Sequence, residues 1–514
     1  MDRRREEAAA VVATATLYDA LADTARADPA RPALVFDAGG AARAWSYAEL
    51  AEDVDRTAGG LLERGLEPGD RVLLSLENHP EILRVLLAAS KTGVIAVPVD
   101  PSLTARELQH VFALCKPALA LADAGAATVR AVAEAAATPV VAATDPLGAP
   151  SLAAAHADAE AAQTDPRAVV ELLFTSGTTN APKAVMLTNA ALLHGARSLA
   201  AGAGYCTEDR ALITLPLYHA AAQIHQFLPT LVLGGSVVVA RRFSPASFFS
   251  SAAAFGTSTS AQFAATLRLL LRRGDESAAR ECGLRHVTFA QSLTLAEYDE
   301  WAVRFGIPLQ QLWGMTETTG LPLMSPLDGD RNLAAMGVEM SGFYEVAVAR
   351  ADGSRAGADE PGELVVAANP GENVMLGYFD DPAATDATIR DGWLHSGDMA
   401  RRDEHGFFYF LGRGRDLIRR AGQSFSALEV EEVLLAHPGV VDAAVVGIPD
   451  ALADERVGAF VVLGSPAPSL AELRRHCRGL LAPHKRPDMI TIRSELPRTS
   501  VGKIQKHLLP TPDA

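Results

Sequence analysis

A series of continuously apolar segments near the start of the chain constrains its fold more than any other feature. Three of these segments read as buried strands: RVLLSL (71–76), VIAVPV (94–99) and ALALA (118–122). Helical patterns alternate with them, and two of the helices are predicted to begin at capping boxes, Ser46 with Glu49 and Thr104 with Glu107. Strands that are apolar throughout and separated by helices favour parallel βαβ units over a sandwich.

The pattern changes further along the chain. An Ala-rich stretch, 124–166, reads as surface helix and linker, and apolar strand and helix patterns resume at VVELLF (169–174). Later, GELVV (362–366) and GFFYFLGR (406–413) indicate strands of a smaller, more antiparallel region. No period of about 20–50 residues recurs, which argues against a solenoid.

A domain boundary is predicted after Arg413, where GRGRDLIRRAGQ places glycines and charges between two apolar stretches. The sequence therefore predicts an α/β protein whose large N-terminal domain, 1–413, is built on βαβ-type sheets. A smaller α+β C-terminal domain, 414–514, is predicted to follow it.

Charge and hydropathy limit the partners of the protein. The formal net charge of −16 argues against a nucleic-acid or anionic-membrane surface, because both need clustered Lys and Arg. The start, MDRRREEAAAVV, lacks the pattern of a signal peptide. The most apolar region, 211–240, contains two histidines and two glutamines, so no membrane insertion is expected. We therefore expect a cytoplasmic protein.

The four cysteines are widely spaced and form no CxxC pair, which indicates neither a zinc site nor a disulfide framework. We expect them to be small buried apolar side chains. They are Cys115, Cys206, Cys282 and Cys477.

The strongest local signal for chemistry is LLFTSGTTNAPKAVMLTN (172–189), in which a buried strand enters a run of hydroxyls around a glycine. Hydroxyls and free backbone N–H groups in a tight turn form an anion-binding concavity, and a lysine adds a charge suited to phosphate. The loop is not a Walker A sequence, because GxxxxGK[ST] is absent. The predicted phosphate contacts are Thr175, Ser176, Gly177, Thr178, Thr179 and Lys183.

This loop resembles that of the adenylate-forming superfamily, which includes acyl-CoA synthetases, luciferases and peptide-synthetase adenylation domains. A second motif, LQQLWGMTET (309–318), resembles the family's aromatic-Gly-x-Thr-Glu segment. The resemblance implies that Glu317, with Thr175, holds Mg²⁺, a cation that takes oxygen ligands. It also implies three nucleotide contacts: Trp313 beside adenine, Gly314, and Thr316 at a phosphate.

A third motif, DGWLHSGDMARRDEHGFFYFLGRGRD (391–416), resembles the family's ribose-binding segment. The resemblance makes Asp398 and Arg413 the ribose-binding pair, and a carboxylate is a natural acceptor for vicinal hydroxyls. It implies that the C-terminal domain is mobile and swings about Asp416. It also implies that Gly422 lines the tunnel through which a thiol reaches the site.

The last motif, LPRTSVGKIQKHLL (496–509), resembles the family's terminal motif. The resemblance implies that Lys503 reaches the carboxylate and the α-phosphate, where its charge stabilises the crowded negative charge. Together with Lys183 and His219, it is a candidate catalytic residue.

LPLYHAAAQIHQ (215–226) lies where the family places an aromatic-His segment beside the acyl substrate. Amino-acid-activating relatives carry an Asp here, whereas this chain has Ala220 and Ala221, which disfavours a substrate with an α-ammonium group. The longer stretch 215–272 is more loosely similar to crotonobetaine/carnitine-CoA ligases. The predicted pocket residues are Tyr218, His219, Gln223, Gln291, Ser292, Gly314 and Met315.

The expected function is attack of a carboxylic acid on Mg·ATP to give an acyl adenylate and pyrophosphate, followed by transfer to the thiol of CoA. The alternatives for the acceptor are a carrier-protein thiol, an amine, or nitrite activated for aryl-amine diazotisation. A degenerate nucleotide-binding regulatory protein is the alternative of another class. The expected cofactors are ATP and Mg²⁺, and a homodimer is one open alternative for the assembly.

Three positions depart from the family pattern. Asn180 and Ala184 stand where the phosphate loop usually has Gly, and Ala427 replaces a common Pro. Asn tolerates a left-handed backbone, so nucleotide binding is still expected. These motifs constrain the acceptor of the acyl group less than they constrain nucleotide binding.

Overall fold

The computed structural model describes residues 16–154, 165–175, 182–327, 332–414, 417–420, 423–450, 454–499 and 504–509. The chain divides into two compact units. The larger comprises Met1–Val346 and Val366–Leu394, and the smaller comprises Ala347–Val365 and His395–Ala514.

Fifteen of the described strands precede residue 340. They are β1 (Pro32–Asp37), β2 (Ala42–Ser46), β3 (Arg71–Ser75), β4 (Ile95–Val99), β5 (Leu119–Ala122), β6 (Val140–Ala142), β7 (Val169–Thr175), β8 (Lys183–Thr188), β9 (Arg210–Ile213), β10 (Ser236–Ala240), β11 (Thr259–Phe263), β12 (His286–Ala290), β13 (Leu309–Trp313), β14 (Leu323–Met324) and β15 (Val338–Glu339).

The remaining described strands are β16 (Val346–Ala349), β17 (Gly362–Ala367), β18 (Gly377–Tyr378), β19 (Ile389–Arg390), β20 (Trp393–Arg402), β21 (Phe408–Arg413), β22 (Leu417–Arg420), β23 (Gln423–Ser426), β24 (Val440–Asp450), β25 (Asp454–Leu463) and β26 (Met489–Arg493).

The described α-helices are α1 (Leu17–Ala27), α2 (Tyr47–Glu63), α3 (Pro80–Thr92), α4 (Ala105–Cys115), α5 (Ala127–Ala135), α6 (Asn189–Gly202), α7 (Ala220–Ala222), α8 (Leu228–Val232), α9 (Phe248–Ala254), α10 (Ala264–Arg273), α11 (Glu276–Glu281), α12 (Leu295–Phe305), α13 (Pro382–Thr388), α14 (Ala427–Leu435) and α15 (Leu470–Leu480). A π-helix spans Gln223–Phe227 between α7 and α8, and 3₁₀ turns span Thr316–Thr318, Pro483–Lys485 and Lys506–Leu508.

Two sheets form the larger unit. The first has nine strands in the order β15-β14-β13-β12-β11-β9-β10-β1-β2, and its six inner strands, from β13 to β1, run parallel. The second has seven strands in the order β18-β8-β7-β4-β3-β5-β6, with β7, β4, β3, β5 and β6 parallel. The prediction of parallel βαβ units is confirmed.

Local signals placed the first helices correctly. Ser46 and Glu49 form a capping box at α2, and Thr104 and Glu107 form one at α4. In each box the side chains of both residues bond to the backbone of the other, which satisfies N–H groups that the first turn leaves free. Both predicted helix starts are therefore confirmed.

The Ala-rich stretch 124–166 was only partly predicted. Its helix, α5, is present, but β6 pairs in parallel with β5 at the edge of the seven-stranded sheet, so reading the remainder as linker was wrong there. A strand of three residues that are only partly buried carries too short an apolar run to be detected.

Five helices, α1, α2, α3, α6 and α8, contact one another and separate the two sheets of the larger unit. Helix α3 packs against β4 and β7 of the seven-stranded sheet, whereas α2 and α8 pack against β1 and β10 of the nine-stranded sheet. Every residue of α3 is buried, because it is enclosed on all sides. The π-helix lies in the same layer and contacts α6 and β9.

The smaller unit contains a sheet in the order β23-β22-β25-β24, with β26 paired in parallel to β25. Helices α14 and α15 cover it, and their apolar faces form one core with Val445, Val457 and Phe425.

A further five-stranded sheet contains β16, β17, β20 and β19 in that order, with β21 paired antiparallel to β20. The predicted α/β class is confirmed.

All four cysteines are free thiols. Cys115 and Cys477 are buried as predicted, and burial raises the pKa of Cys115 to about 12. Cys206 and Cys282 are only half-buried, so the prediction of full burial was wrong for them. In the described part of the chain, no helix combines the length and the apolarity needed to cross a membrane.

Candidate active site

Thr175 and Lys183 face each other across two antiparallel strands. Thr175 is the last residue of β7, Lys183 is the first of β8, and the two are register partners. The strand pair thus brings the predicted phosphate lysine to the end of β7 where the hydroxyl-rich sequence begins. The remaining predicted contacts of this loop lie outside the described residues, and they are Ser176, Gly177, Thr178 and Thr179.

Tyr378 contacts two predicted site residues that are far apart in the sequence. Its hydroxyl donates a 2.8 Å hydrogen bond to Glu317 Oε1, and Lys183 Nζ lies 4.7 Å from the centroid of its ring. Tyr378 and Glu317 are both buried. Burial and the adjacent Glu317 carboxylate raise the pKa of Tyr378, so its hydroxyl stays protonated and remains a donor. The fold therefore gathers a cation and a carboxylate around one aromatic ring.

Backbone contacts hold Tyr378 in this position. It lies in β18, where it is the register partner of Val185 in β8. Three residues earlier, the N–H of Met375 donates to the carbonyl of Glu317 at 2.8 Å. Because the same segment pairs with the strand of Lys183 and with the turn of Glu317, both distances to Tyr378 are fixed by main-chain hydrogen bonds.

A tight turn presents Thr316 and Glu317 at the end of β13. The N–H of Met315 donates to Thr318 Oγ1 at 3.0 Å, which closes the turn. A Cβ atom at Gly314 would lie 2.5 Å from the carbonyl oxygen of Gly320, so any side chain there would displace the turn. Thr316 is half-buried and Glu317 is buried.

Trp313 and Gln291 lie at the ends of neighbouring parallel strands. Trp313 ends β13 and is buried, and Gln291 comes directly after β12. Gln291 has a φ of 76°, in the left-handed region that favours glycine. Its carbonyl accepts a 3.0 Å hydrogen bond from Gln311 Nε2, and Gln311 Oε1 accepts one of 3.1 Å from the hydroxyl of Tyr298. Two buried side chains thus support this strained conformation.

Ser292, the next predicted pocket residue, is exposed. Its carbonyl accepts a 3.0 Å hydrogen bond from Arg268 Nη2, and Arg268 also pairs with Glu297. The side chain of Ser292 therefore lies at the surface of the loop after β12.

Tyr218 and His219 lie side by side at the start of α7, with ring centroids 4.7 Å apart. Gln223, the first residue of the π-helix, is fully buried, and its Nε2 donates a 2.6 Å hydrogen bond to the carbonyl of Leu217. From the other side, the N–H of Leu217 donates to Asn78 Oδ1 at 2.7 Å. Two buried amide side chains therefore bond the carbonyl and the N–H of Leu217, two residues before His219.

Asp398 and Arg413, the predicted ribose pair, lie opposite each other in the smaller unit. They are register partners on β20 and β21, and Arg413 Nε lies 3.1 Å from Asp398 Oδ1. Asp398 is buried, and its N–H donates to Ser396 Oγ. The two strands thus bring the predicted pair into one ion pair.

Three further predicted residues, Asp416, Gly422 and Lys503, lie outside the described residues. The predicted hinge, thiol tunnel and catalytic lysine therefore stay predictions.

Sequence reasoning missed Tyr378. A single tyrosine in VMLGYFDD carries no pattern of its own, and its partner Glu317 is 61 positions away. It also missed Glu171, which is fully buried in the middle of β7. There the signal was present, since a carboxylate within the apolar run VVELLF is unusual in a buried strand.

A buried carboxylate and a lysine at one aromatic ring, beside the ends of parallel strands, define an enzyme site suited to a nucleotide and its phosphates. The family model described as AMP-binding enzyme matches residues 21–379, and that of the AMP-binding enzyme C-terminal domain matches 429–503. The chain belongs to the AMP-binding enzyme family. The predicted membership of the adenylate-forming superfamily is thereby confirmed.

Similar proteins cover almost the whole chain. A sulfoacetate–CoA ligase of Cupriavidus necator is 33% identical over 500 residues, covering 96% of both chains. A crotonobetaine/carnitine–CoA ligase of Salmonella paratyphi A is 32% identical over 496 residues, covering 93% of this chain and 95% of the relative. The structure of ATP-bound MatB from Rhodopseudomonas palustris superposes with a TM-score of 0.88 at 28% identity, covering 96% of this chain and 98% of that one.

Proposed function

We propose that this enzyme couples ATP to the formation of an acyl-CoA from a carboxylic acid. A carboxylate oxygen attacks the α-phosphorus of ATP, the bond to pyrophosphate breaks, and an acyl adenylate forms. The sulfur of CoA then attacks the acyl carbon, the thiol proton is lost, and AMP leaves. The predicted enzyme class, an AMP-forming acid–thiol ligase, is confirmed.

The observation that carries this proposal is the grouping of Lys183, Tyr378 and Glu317. Lys183 supplies a positive charge to phosphate oxygens at the end of β7, and Tyr378 orients the Glu317 carboxylate through one of its two oxygens. Formation of the adenylate needs little covalent help from the protein, because positioning and charge stabilisation suffice for phosphoryl chemistry.

The residues present fit a magnesium ion. Tyr378 occupies Glu317 Oε1, so the carboxylate can offer its second oxygen to a hard cation, with the hydroxyl of Thr175 as the other protein ligand. Mg²⁺, when bound, neutralises charge on the phosphates of ATP. Few protein ligands are needed, because phosphate oxygens and water complete its shell.

We propose that Trp313, Gly314 and Thr316 contact the nucleotide. The Asp398 carboxylate accepts hydrogen bonds from the ribose hydroxyls, and Arg413, paired with it, completes the ribose site. The buried position of Trp313 at the end of a parallel strand and the ion pair of Asp398 support these roles. The candidate acyl pocket comprises Tyr218, His219, Gln223, Gln291, Ser292, Gly314 and Met315.

The substrate is proposed to be a carboxylic acid without an α-ammonium group, because Ala220 and Ala221 stand where a carboxylate partner would be needed. The two relatives are named for different acids, so their names support the class and not one member. CoA is the proposed acceptor, with a carrier-protein thiol as the alternative, and Asp416, Gly422 and Lys503 keep their proposed roles. A cytoplasmic location is proposed, and the acidic net charge of −16, which disfavours an anionic-membrane surface, supports it.

A panel of carboxylic acids tests the function. Pyrophosphate release is measured with each acid, Mg·ATP and the purified chain, with and without CoA, and products are identified by mass spectrometry. We expect acid-dependent pyrophosphate release and an acyl-CoA that forms only when CoA is present. Turnover that requires nitrite and an aryl amine, or a carrier protein, would overturn the assignment of the acceptor. Absence of acid-dependent pyrophosphate release with every acid would overturn the function itself.

A further inference from the structure

Glu171 is a buried acid that the proposed reaction does not use. It lies in the middle of β7, fully buried, between Leu187 of β8 and Ala96 of β4. Burial raises the pKa of its carboxyl to about 8, and the adjacent Gln223 carboxamide lowers it to a smaller extent. At neutral pH the side chain is therefore mostly a neutral acid, able to donate a hydrogen bond.

Few charges surround it. Strand β4 carries no ionisable side chain, and β8 carries only Lys183, which contacts Tyr378. On the π-helix, His225 is held neutral because burial lowers its pKa to about 4. Helix α3 carries Glu81, Arg84 and Lys91; Arg84 pairs with Glu81 and Asp53, and Lys91 pairs with Asp55.

Gln223 supplies the partner that the acid needs. Its Nε2 already donates to the carbonyl of Leu217, and its Oε1 is buried without a hydrogen-bond donor among the described residues. The carboxyl oxygens of Glu171 likewise lack a partner there within hydrogen-bond geometry. An unsatisfied buried acceptor beside an unsatisfied acid costs stability, and a hydrogen bond donated by the protonated Glu171 carboxyl to Gln223 Oε1 satisfies both groups.

Gln223 also opens the π-helix. Its N–H and that of Ala222 both lie within hydrogen-bond distance of the carbonyl of His219, at 3.5 and 3.1 Å. Single π-turns within helices occur frequently at functional sites. The side chain of Gln223 thus fixes Leu217 and its backbone fixes His219, so the residue controls both ends of the Leu217–His219 segment.

We propose that Glu171 is a positioning residue: as a neutral acid it orients Gln223, which in turn holds the Leu217–His219 segment at the acyl pocket. This inference rests on the proposed function for its kinetic consequence, whereas its structural consequence does not. Ionisation of Glu171 removes the donor to Gln223 Oε1, which leaves that buried oxygen unsatisfied and weakens the orientation of the carboxamide that holds the segment before His219. The same strand ends at Thr175, so Glu171 lies on the element that leads to the phosphate loop.

Two variants separate the donor from the charge. Glu171→Gln keeps the shape and an N–H donor but cannot ionise, and Glu171→Leu removes all hydrogen bonding. Thr57→Val is the control, since Thr57 is equally buried and its hydroxyl donates to the carbonyl of Asp53 within α2. At pH 7 we expect Glu171→Leu to raise the KM for the acid about tenfold, the equivalent of one lost hydrogen bond, with the KM for ATP within about twofold.

Glu171→Gln is expected to retain the wild-type kcat/KM for the acid within about threefold at pH 7. Wild type should lose kcat/KM above about pH 8, and Glu171→Gln should not show that fall. Equal increases in both KM values for Glu171→Leu, or the same alkaline fall in Glu171→Gln, would overturn the proposal.

Two readouts need no activity, so failure of this inference can be told from failure of the proposed function. Infrared difference spectra of wild type minus Glu171→Gln should contain a protonated-carboxyl band at pH 7 that disappears above pH 8. Hydrogen exchange measured by mass spectrometry should become faster over 215–223 in Glu171→Leu and stay unchanged in Thr57→Val. Absence of the band or unchanged exchange refutes the positioning role even in an active enzyme.

Discussion

Replacing Tyr378 by Phe tests how the Glu317 carboxylate is prepared for a metal ion. The substitution removes the hydroxyl that donates 2.8 Å to Glu317 Oε1 but keeps the ring that Lys183 contacts. A hydrogen bond to a charged group contributes about 1.5–3 kcal/mol, and Glu317 is too buried for water to replace it freely. Loss of a partner that orients a metal ligand commonly weakens metal binding by roughly 10–100-fold.

We therefore expect Tyr378→Phe to raise the Mg²⁺ concentration for half-maximal pyrophosphate release by roughly 10–100-fold, at saturating ATP and acid. The measurement is a Mg²⁺ titration of initial rates. The chain offers a matched control in Tyr409, whose hydroxyl donates 2.8 Å to Asp403 and whose ring lies under Arg401 at 3.8 Å. Tyr409→Phe should leave the titration unchanged.

Two other outcomes of the Mg²⁺ titration would contradict an orienting role of Tyr378. Tighter Mg²⁺ binding in Tyr378→Phe would mean that the tyrosine competes with the cation for Glu317 and does not orient it. An unchanged titration would mean that Glu317 is not a ligand.

Four further predictions concern stability and the two half-reactions. The folded pKa of Glu171, about 8, lies above the ordinary 4.5, so its contribution to stability is complete below pH 4.5 and is lost as the pH rises to 8. The free energy of unfolding of Glu171→Gln relative to wild type should therefore grow by about 1.4 kcal/mol per pH unit between these values. A difference in urea unfolding that does not change with pH would contradict this. Gln291→Gly should relieve the left-handed strain and raise the free energy of unfolding by about 1 kcal/mol, detectable by calorimetry, and a loss of stability would show that the side chain matters more than the backbone. Lys503→Ala should greatly reduce adenylate formation in a folded protein, and wild-type pyrophosphate release by that variant would refute its role. Gly422→Leu should spare pyrophosphate release but block acyl-CoA formation, whereas equal loss of both would argue against a thiol tunnel.

The parts of the fold that the sequence predicted well are those that local chemistry determines. The capping boxes at Ser46 and Thr104 depend on residues three apart, so both helix starts could be placed before the structure was known. Continuous apolar runs likewise predicted the parallel strands β3, β4 and β5. The edge strand β6 escaped because edge position and a length of three residues leave almost no pattern.

Residues of the candidate site could be predicted only where they belong to a recognisable sequence motif. Lys183 and Glu317 stand in recognisable segments, and the structure brings them to one ring. Tyr378 could not be found, because its role comes from the pairing of β18 with β8, a contact between distant parts of the chain. For Glu171, the acid within an apolar strand could be seen in the sequence, but its neighbour Gln223 could not be predicted. Gln223 lies in a π-turn, which has no periodic sequence pattern.

The pairing of β18 with β8 has a consequence for how the protein is made. Tyr378 joins the edge of the sheet, and it is synthesised long after β8, the strand with which it pairs. At ~5–20 residues per second, the stretch from Thr188 to Gly377 takes roughly 10–40 s to synthesise. During that time the nascent chain has Lys183 but lacks Tyr378 and, for most of the interval, Glu317, so the group of three residues proposed to bind Mg·ATP is not yet present. Vectorial synthesis thereby keeps the site incomplete until nearly the whole larger unit has emerged.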